Sequence, residues 1–196
     1  MKVLILAILC SICISASAQI KPVYFFGNDR VSDSTKATAY GISGKLSNEE
    51  LWVLKKYDLD NNLLMTGAYK DADLTISHGQ FVYYDDISFF NHQNKENFYI
   101  KGQDRFISSK GAYEDGVMTG RWIGFFPDGK IRVIITYVKG IKHGAFYLFN
   151  RKGQALLSGR YANDLKEGEW ISKEGRKEIK EVYHNGELQR PLKSKN

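Results

Sequence analysis

Beyond Cys13 the chain contains no cysteine. If the opening segment is removed, no disulfide can staple what remains. The body must then be held by burial and backbone pairing, for which a single domain of this length suffices. No apolar run of membrane-spanning length follows the first 19 residues, so the body reads as a soluble domain. Charge of one sign is also missing as a cluster. The net charge is +6, but Lys2 lies in the opening segment and Arg190, Lys193 and Lys195 lie in the last seven residues. What remains is close to balanced and interspersed, without the basic stripe of a nucleic-acid binder.

Catalytic and metal-binding patterns are equally scarce. The four histidines, His78, His92, His143 and His184, show no ligand spacing. No serine sits in a nucleophile-elbow pattern. Adjacent acids at Glu49-Glu50, Asp85-Asp86 and Glu114-Asp115 point to opposite faces of a strand, and are read as solvating turns rather than as a carboxylate pair. "AYGISGKLS" at 39–47 nearly matches a phosphate-binding loop, but Leu46 stands where Mg²⁺ needs a hydroxyl. "DLDNN" at 58–62 imitates a calcium loop, yet Leu63 replaces the required glycine and Tyr69 the bidentate glutamate. Hence no enzyme activity, no cofactor and no metal is expected.

The opening "MKVLILAILCSICISASAQ" has the organisation of an export signal. Lys2 is followed by an apolar run from Val3 to Ile14 and by the small residues of "ASA" at 16–18. Cleavage after Ala18 is expected, leaving 178 residues from Gln19. The residues before each cysteine do not fit a lipoprotein acylation signal.

What the body does contain is a period. "GAYEDGVMTGRW" at 111–122 returns as "GRYANDLKEGEW" at 159–170, with a looser copy, "ITYVKGIKHGAF", at 135–146. Tyr113, Tyr137 and Tyr161 are spaced by 24, and Tyr183 follows 22 later. Gly120, Gly144 and Gly168 come seven residues after the first three, and Trp122, Phe146 and Trp170 two further on. After each tyrosine stands a turn pair: Asp115-Gly116, Lys139-Gly140, Asn163-Asp164 and Asn185-Gly186, suited to type I′ hairpins. Gly129, Gly153 and Gly175 mark a second turn series. Between turns the residues alternate, as in "IRVIITY" at 131–137, so each unit is two strands and two turns. Rings stacked in rows across the strands, with glycine opposite them, would supply the packing that one hairpin lacks.

The register extends upstream. "YDLDNNLLMTGAY" at 57–69 aligns with "FNRKGQALLSGRY" at 149–161, and Trp52 and Phe81 are placed where Trp122 stands, after turns three residues longer. The Lys/Glu-rich stretch 164–182 is a helical rival by i,i+4 spacing, but Gly168 and Gly175 favour a hairpin. Residues 19–39 read as a cap, with a strand at 23–26 and a loop at 27–34. Residues 40–188 carry the repeats, and 189–196 form a basic, frayed tail.

"YEDGVMTGRWIGFFPDGK" at 113–130 resembles the MORN-repeat family in its bacterial variant. "YVKGIKHGAFYLFNRKGQ" departs from that pattern at Phe146 and Gln154, and "YANDLKEGEWISKEGRK" is two residues shorter. The resemblance covers 57–84 and 110–188. It implies an elongated, all-β strip of antiparallel hairpins, an open solenoid of single-layer twisted sheet, and a scaffold role. It also implies lipid association as one rival. Some bacterial members carry an antitoxin label, which suits an export signal poorly.

One segment escapes the register. Residues 85–109 form an insertion, and within it "DDISFFNHQNKENFYIKGQDRF" at 85–106 carries five aromatics without the repeat's glycines. The pairs Phe89-Phe90 and Phe98-Tyr99 flank a polar stretch and suit a long hairpin or lid, with Phe106 the fifth ring. The two pairs are the candidate binding residues, with packing back onto the strip as the equal alternative. The sequence thus reads as an exported, non-catalytic interaction or scaffold protein of a bacterial cell envelope. Its expected partner is a protein of the envelope or a membrane surface, and not a nucleic acid. A carbohydrate-binding module and an antitoxin-like component are the remaining alternatives.

Overall fold

Alternating residues between paired turns fold the chain into one antiparallel sheet of fourteen strands that does not close into a barrel. The computed structural model describes residues 21–45 and 50–189. The expected signal segment 1–18, its Ala18 junction and most of the expected tail lie outside the described residues.

Strands β1 (Lys21–Phe26), β2 (Asp29–Val31) and β3 (Ala39–Lys45) open the sheet, followed by β4 (Trp52–Asp58), β5 (Leu63–Tyr69) and β6 (Gly79–Asp86). After an α-helix, α1 (Ile87–Asn94), the repeats supply β7 (Arg105–Glu114), β8 (Val117–Phe125), β9 (Ile131–Val138), β10 (Ile141–Phe149), β11 (Ala155–Ala162), β12 (Leu165–Glu174), β13 (Lys177–His184) and β14 (Glu187–Leu188). From β3 onward each strand pairs with the next in sequence. The N-terminal cap departs from that order, because β1 lies between β2 and β3. Residues 27–34, expected as a loop, contain β2 and begin a 3₁₀ turn at Ser34–Lys36 whose N-cap, Asp33, accepts the Thr35 N–H. Both outer strands are very short, which limits edge pairing with other chains.

The stretch 164–182 is hairpin, not helix, and Gly44-Lys45 lies in β3 rather than in a phosphate loop. All four turn pairs have positive φ at both residues: 52° and 83° at Asp115-Gly116, 50° and 85° at Lys139-Gly140, 51° and 66° at Asn163-Asp164, and 50° and 83° at Asn185-Gly186. Such turns match the twist of the strands they join. The second residue of each pair also donates its backbone N–H to the preceding hairpin. Gly116 bonds Ser77 O, Gly140 bonds Met118 O, Asp164 bonds Lys142 O and Gly186 bonds Lys166 O, all at 2.8–2.9 Å. Where Asp164 replaces glycine, its Oδ1 in addition accepts the Lys142 N–H at 2.8 Å.

The repeat glycines divide into two structural kinds. In β8, Gly120-Arg121-Trp122 lies opposite the single residue Gly111, and in β12, Gly168-Glu169-Trp170 lies opposite Gly159. These are bulges, and Gly120, Gly144 and Gly168 take φ of 64°, 117° and 71° to form them. A Cβ on Gly120 or Gly168 would meet nothing, so these glycines serve the backbone and not the rings. The glycines beneath the rings are Gly111 under Trp122, Gly159 under Trp170 and Gly67 under Phe81, where an added Cβ would overlap the ring. In the looser copy the equivalent residue is Ile135, and the ring there is Phe146, paired directly beside it. Trp52 does not occupy the equivalent slot in the first hairpin. Leu54 does, fully buried with Cδ1 against Gly41, because the alignment of Tyr57 with Phe149 puts Leu54 level with Phe146.

The rings pack as rows. Phe81 meets Tyr113 at 4.7 Å between centroids, Tyr113 meets Trp122 at 5.1 Å and Trp122 meets Tyr137 at 6.5 Å. Further on, Phe146 meets Tyr161 at 5.7 Å, Tyr161 meets Trp170 at 5.0 Å and Trp170 meets Tyr183 at 6.4 Å. Edge-to-face pairs of this kind add about 0.5–1.5 kcal/mol each beyond burial.

Gly159 has ordinary extended backbone, so in another strand alanine would be tolerated or favourable. Here Gly159→Ala should destabilise by about 1–3 kcal/mol through overpacking against Trp170. Gly153→Ala, at φ 77° with open space around it, should cost about 1 kcal/mol from backbone strain alone. Urea unfolding of the two variants tests this, and a neutral or stabilising Gly159→Ala would refute the seating of Trp170.

Candidate functional site

The turn between β6 and β7 is replaced by residues 87–104. The sequence suggested a long hairpin or lid, whereas the segment opens with α1. Asp86 caps that helix: its Oδ1 accepts the Phe89 N–H at 2.8 Å and the Ser88 hydroxyl at 2.6 Å. The Ser88 hydroxyl, with the Phe89 N–H, holds the Asp86 carboxyl below its usual pKa, so the cap stands above the ordinary carboxylate range and weakens as pH falls through it. Lys95 ends the helix in the left-handed region at φ 54°. Ile87 and Phe90, three apart, form its buried stripe.

A second apolar cluster forms where this insertion meets the repeats. It contains Ile87, Phe90, Phe98, Phe106 and Phe126, with Ile100 partly buried against it. Phe90 packs edge-on to Phe98 at 5.8 Å and to Phe106 at 5.3 Å, and Phe98 stacks on Phe126 at 5.8 Å. Asn91 fastens the returning loop, donating from Nδ2 to Phe98 O at 2.8 Å and accepting the Phe98 N–H at 2.9 Å. From the next turn, Arg151 places its guanidinium 3.9 Å from the centre of the Phe98 ring. Its Nη1 donates to Glu96 Oε2 at 3.1 Å and to Asn97 Oδ1 at 3.0 Å. The insertion is therefore clamped across the turns at 126–130 and 150–154.

The four candidate binding residues divide. Phe90 and Phe98 are buried and belong to the packing cluster, so they are not available to a partner. Phe89 is 54% exposed and Tyr99 86% exposed. Beside the loop opens a mostly apolar cleft of about 470 Å³, lined by Ile100, Phe106, Ile107, Phe125, Phe126 and Pro127. Lys110 lies at its edge, 5.6 Å from the centre of the Phe125 ring.

The sequence reading missed Phe106, Phe126 and Arg151 as parts of this platform. For the helix a signal was present, since Asp86 precedes an apolar pair at i,i+3. For Arg151 there was none, because its contacts lie more than fifty residues away in sequence.

Asp58 and Asp115 are engaged in turns, and Glu49 lies outside the described residues. The Asp58 carboxylate accepts the N–H groups of Asp60 and Asn62 and the Asn62 Nδ2, so it closes its own turn. Asp115 pairs with Lys70 and, at 3.1 Å, with His78 Nδ1. Among the described residues no group of three or more His, Cys, Asp or Glu gathers in an arrangement that could hold a metal ion.

Arg151→Ala should release the loop without unfolding the strip. Amide hydrogen exchange should rise at residues 95–101, with global stability reduced by no more than about 1–2 kcal/mol. Unchanged protection there would show that the Phe90 cluster holds the loop alone.

No protein-family model matches the chain, and comparison with curated proteins finds no match.

Proposed function

We propose that the chain is an exported, non-catalytic interaction protein of the MORN-repeat type, in which a rigid hairpin strip presents the insertion at 87–104 to a protein of the bacterial cell envelope. The observation that carries this reading is the division of the insertion's aromatics. Phe90 and Phe98 are spent on anchoring, while Tyr99 and Phe89 stay exposed on a clamped loop beside an apolar cleft. Exposed aromatics on a preorganised platform lose little side-chain entropy on binding, and such residues dominate binding energy in protein interfaces. The export-signal organisation of residues 1–18 supports placing the protein in or beyond the envelope.

The double variant Phe89→Ser/Tyr99→Ser tests the role of the loop. Cross-linked capture from the cell envelope of the producing organism should lose its specific partner, while the melting temperature shifts by less than about 2 °C, since neither side chain is core. Retention of the same partner at unchanged yield would move the interaction surface away from the insertion.

A further inference from the structure

Alternation along β4 turns Leu54 and Lys56 inward and Lys55 outward, and Lys56 is only 8% exposed. Lysine is almost never buried to this extent without a counter-ion. The Lys56 Nζ donates to Gly27 O at 2.7 Å and lies 4.5 Å from the centre of the Phe25 ring. None of the ion pairs among the described residues includes it. An ammonium has three donors, so two remain after the Gly27 carbonyl. Burial pushes the Lys56 pKa below its usual range.

The repeat itself does not call for this cation. At the corresponding positions stand Gly124, Leu148 and Ser172, so the strip packs there with no side chain, an alkyl group or a hydroxyl. A cavity of about 340 Å³ lies against Lys56, with Gly27 and Thr38 beside it and Leu64, Met65 and Tyr83 among its other lining residues. Thr38 has no donor left for an anion, because its Oγ1 accepts the Gly27 N–H at 2.9 Å and donates its one proton to Phe25 O at 3.4 Å. Its effect is to fix the β1–β2 turn that holds the Gly27 carbonyl over Lys56.

We propose that this cavity binds a small organic carboxylate, with the carboxylate on Lys56 Nζ and its hydrocarbon part against Leu64, Met65 and Tyr83. A single buried cation with apolar walls matches a monoanion carrying a short alkyl group. Phosphate would require several converging donors, and only one cationic side chain lines the cavity. The size is at the lower end of small-molecule pockets, which suits a ligand of few heavy atoms.

Titration of isotope-labelled protein with hexanoate, hexanamide and inorganic phosphate, read at the Met65 methyl and the Gly27 amide, tests the assignment. Hexanoate should shift both signals saturably, and hexanamide should bind at least about tenfold more weakly. Lys56→Met should lose the hexanoate response by at least about tenfold while keeping a dispersed amide spectrum. Should that variant not fold, the contrast between hexanoate and hexanamide on the unaltered protein decides. The proposal is overturned by equal binding of hexanoate and hexanamide, or by Lys56→Met binding as the parent does. It is equally overturned by a phosphate response matching that of hexanoate, or by no saturable shift with hexanoate up to about 10 mM.

Discussion

From β5 onward the sheet depends on a seat for one large ring per hairpin. A bulge of three residues lifts the ring-bearing strand, and the ring then folds down onto a glycine of the neighbouring strand. Both partners are needed, because a bulge without the glycine has nowhere to lay the indole. The copies bear this out internally. Gly111 pairs with Trp122, Gly159 with Trp170 and Gly67 with Phe81, whereas Ile135 is accompanied by the smaller Phe146. Since the ring row supplies much of the buried surface of a one-layer strip, a side chain at either glycine loosens two hairpins at once.

That constraint explains how much could be read from the sequence. Turn pairs, strand alternation and the 24-residue period are local, and the positive φ values at Asn163-Asp164 show that the turn persists even where glycine is missing. The assignment of Trp52 failed for a physical reason. Aromatic identity was given more weight than position, and Leu54 fills the slot because it is level with Phe146 across the aligned turns. Which glycines lie under the rings was not legible either. Glycine in a strand can serve either φ or close approach, and spacing alone does not separate them. The insertion was legible as an interruption, but which of its aromatics face solvent depends on Phe126 and Arg151, brought to it only by the sheet.

The two ends of the strip obey different rules. At one end the type I′ turns are bonded in series, each backbone N–H on a carbonyl of the hairpin before it, from Ser77 to Gly186. An insertion into any of these turns would break a link in that series. At the other end the turns close on themselves: Asp58 with Asn62, Phe126 with Lys130 and Asn150 with Gln154. A self-contained turn can be replaced without disturbing its neighbours.

Turn length also varies at the first end, between β3 and β4 and between β5 and β6, but the largest departure lies at the second. The insertion occupies the β6–β7 turn there, and the antiparallel order brings it level with the turns at 126–130 and 150–154 that clamp it. The β1–β2 turn that covers Lys56 lies at the same end, because Phe25 pairs with Ala39 and Ala39 with Asp58. A strip whose one end is tied into a hydrogen-bonded series varies more freely at the other. The exposed aromatics and the buried lysine therefore share the end at which each turn closes on itself and its neighbours are left undisturbed.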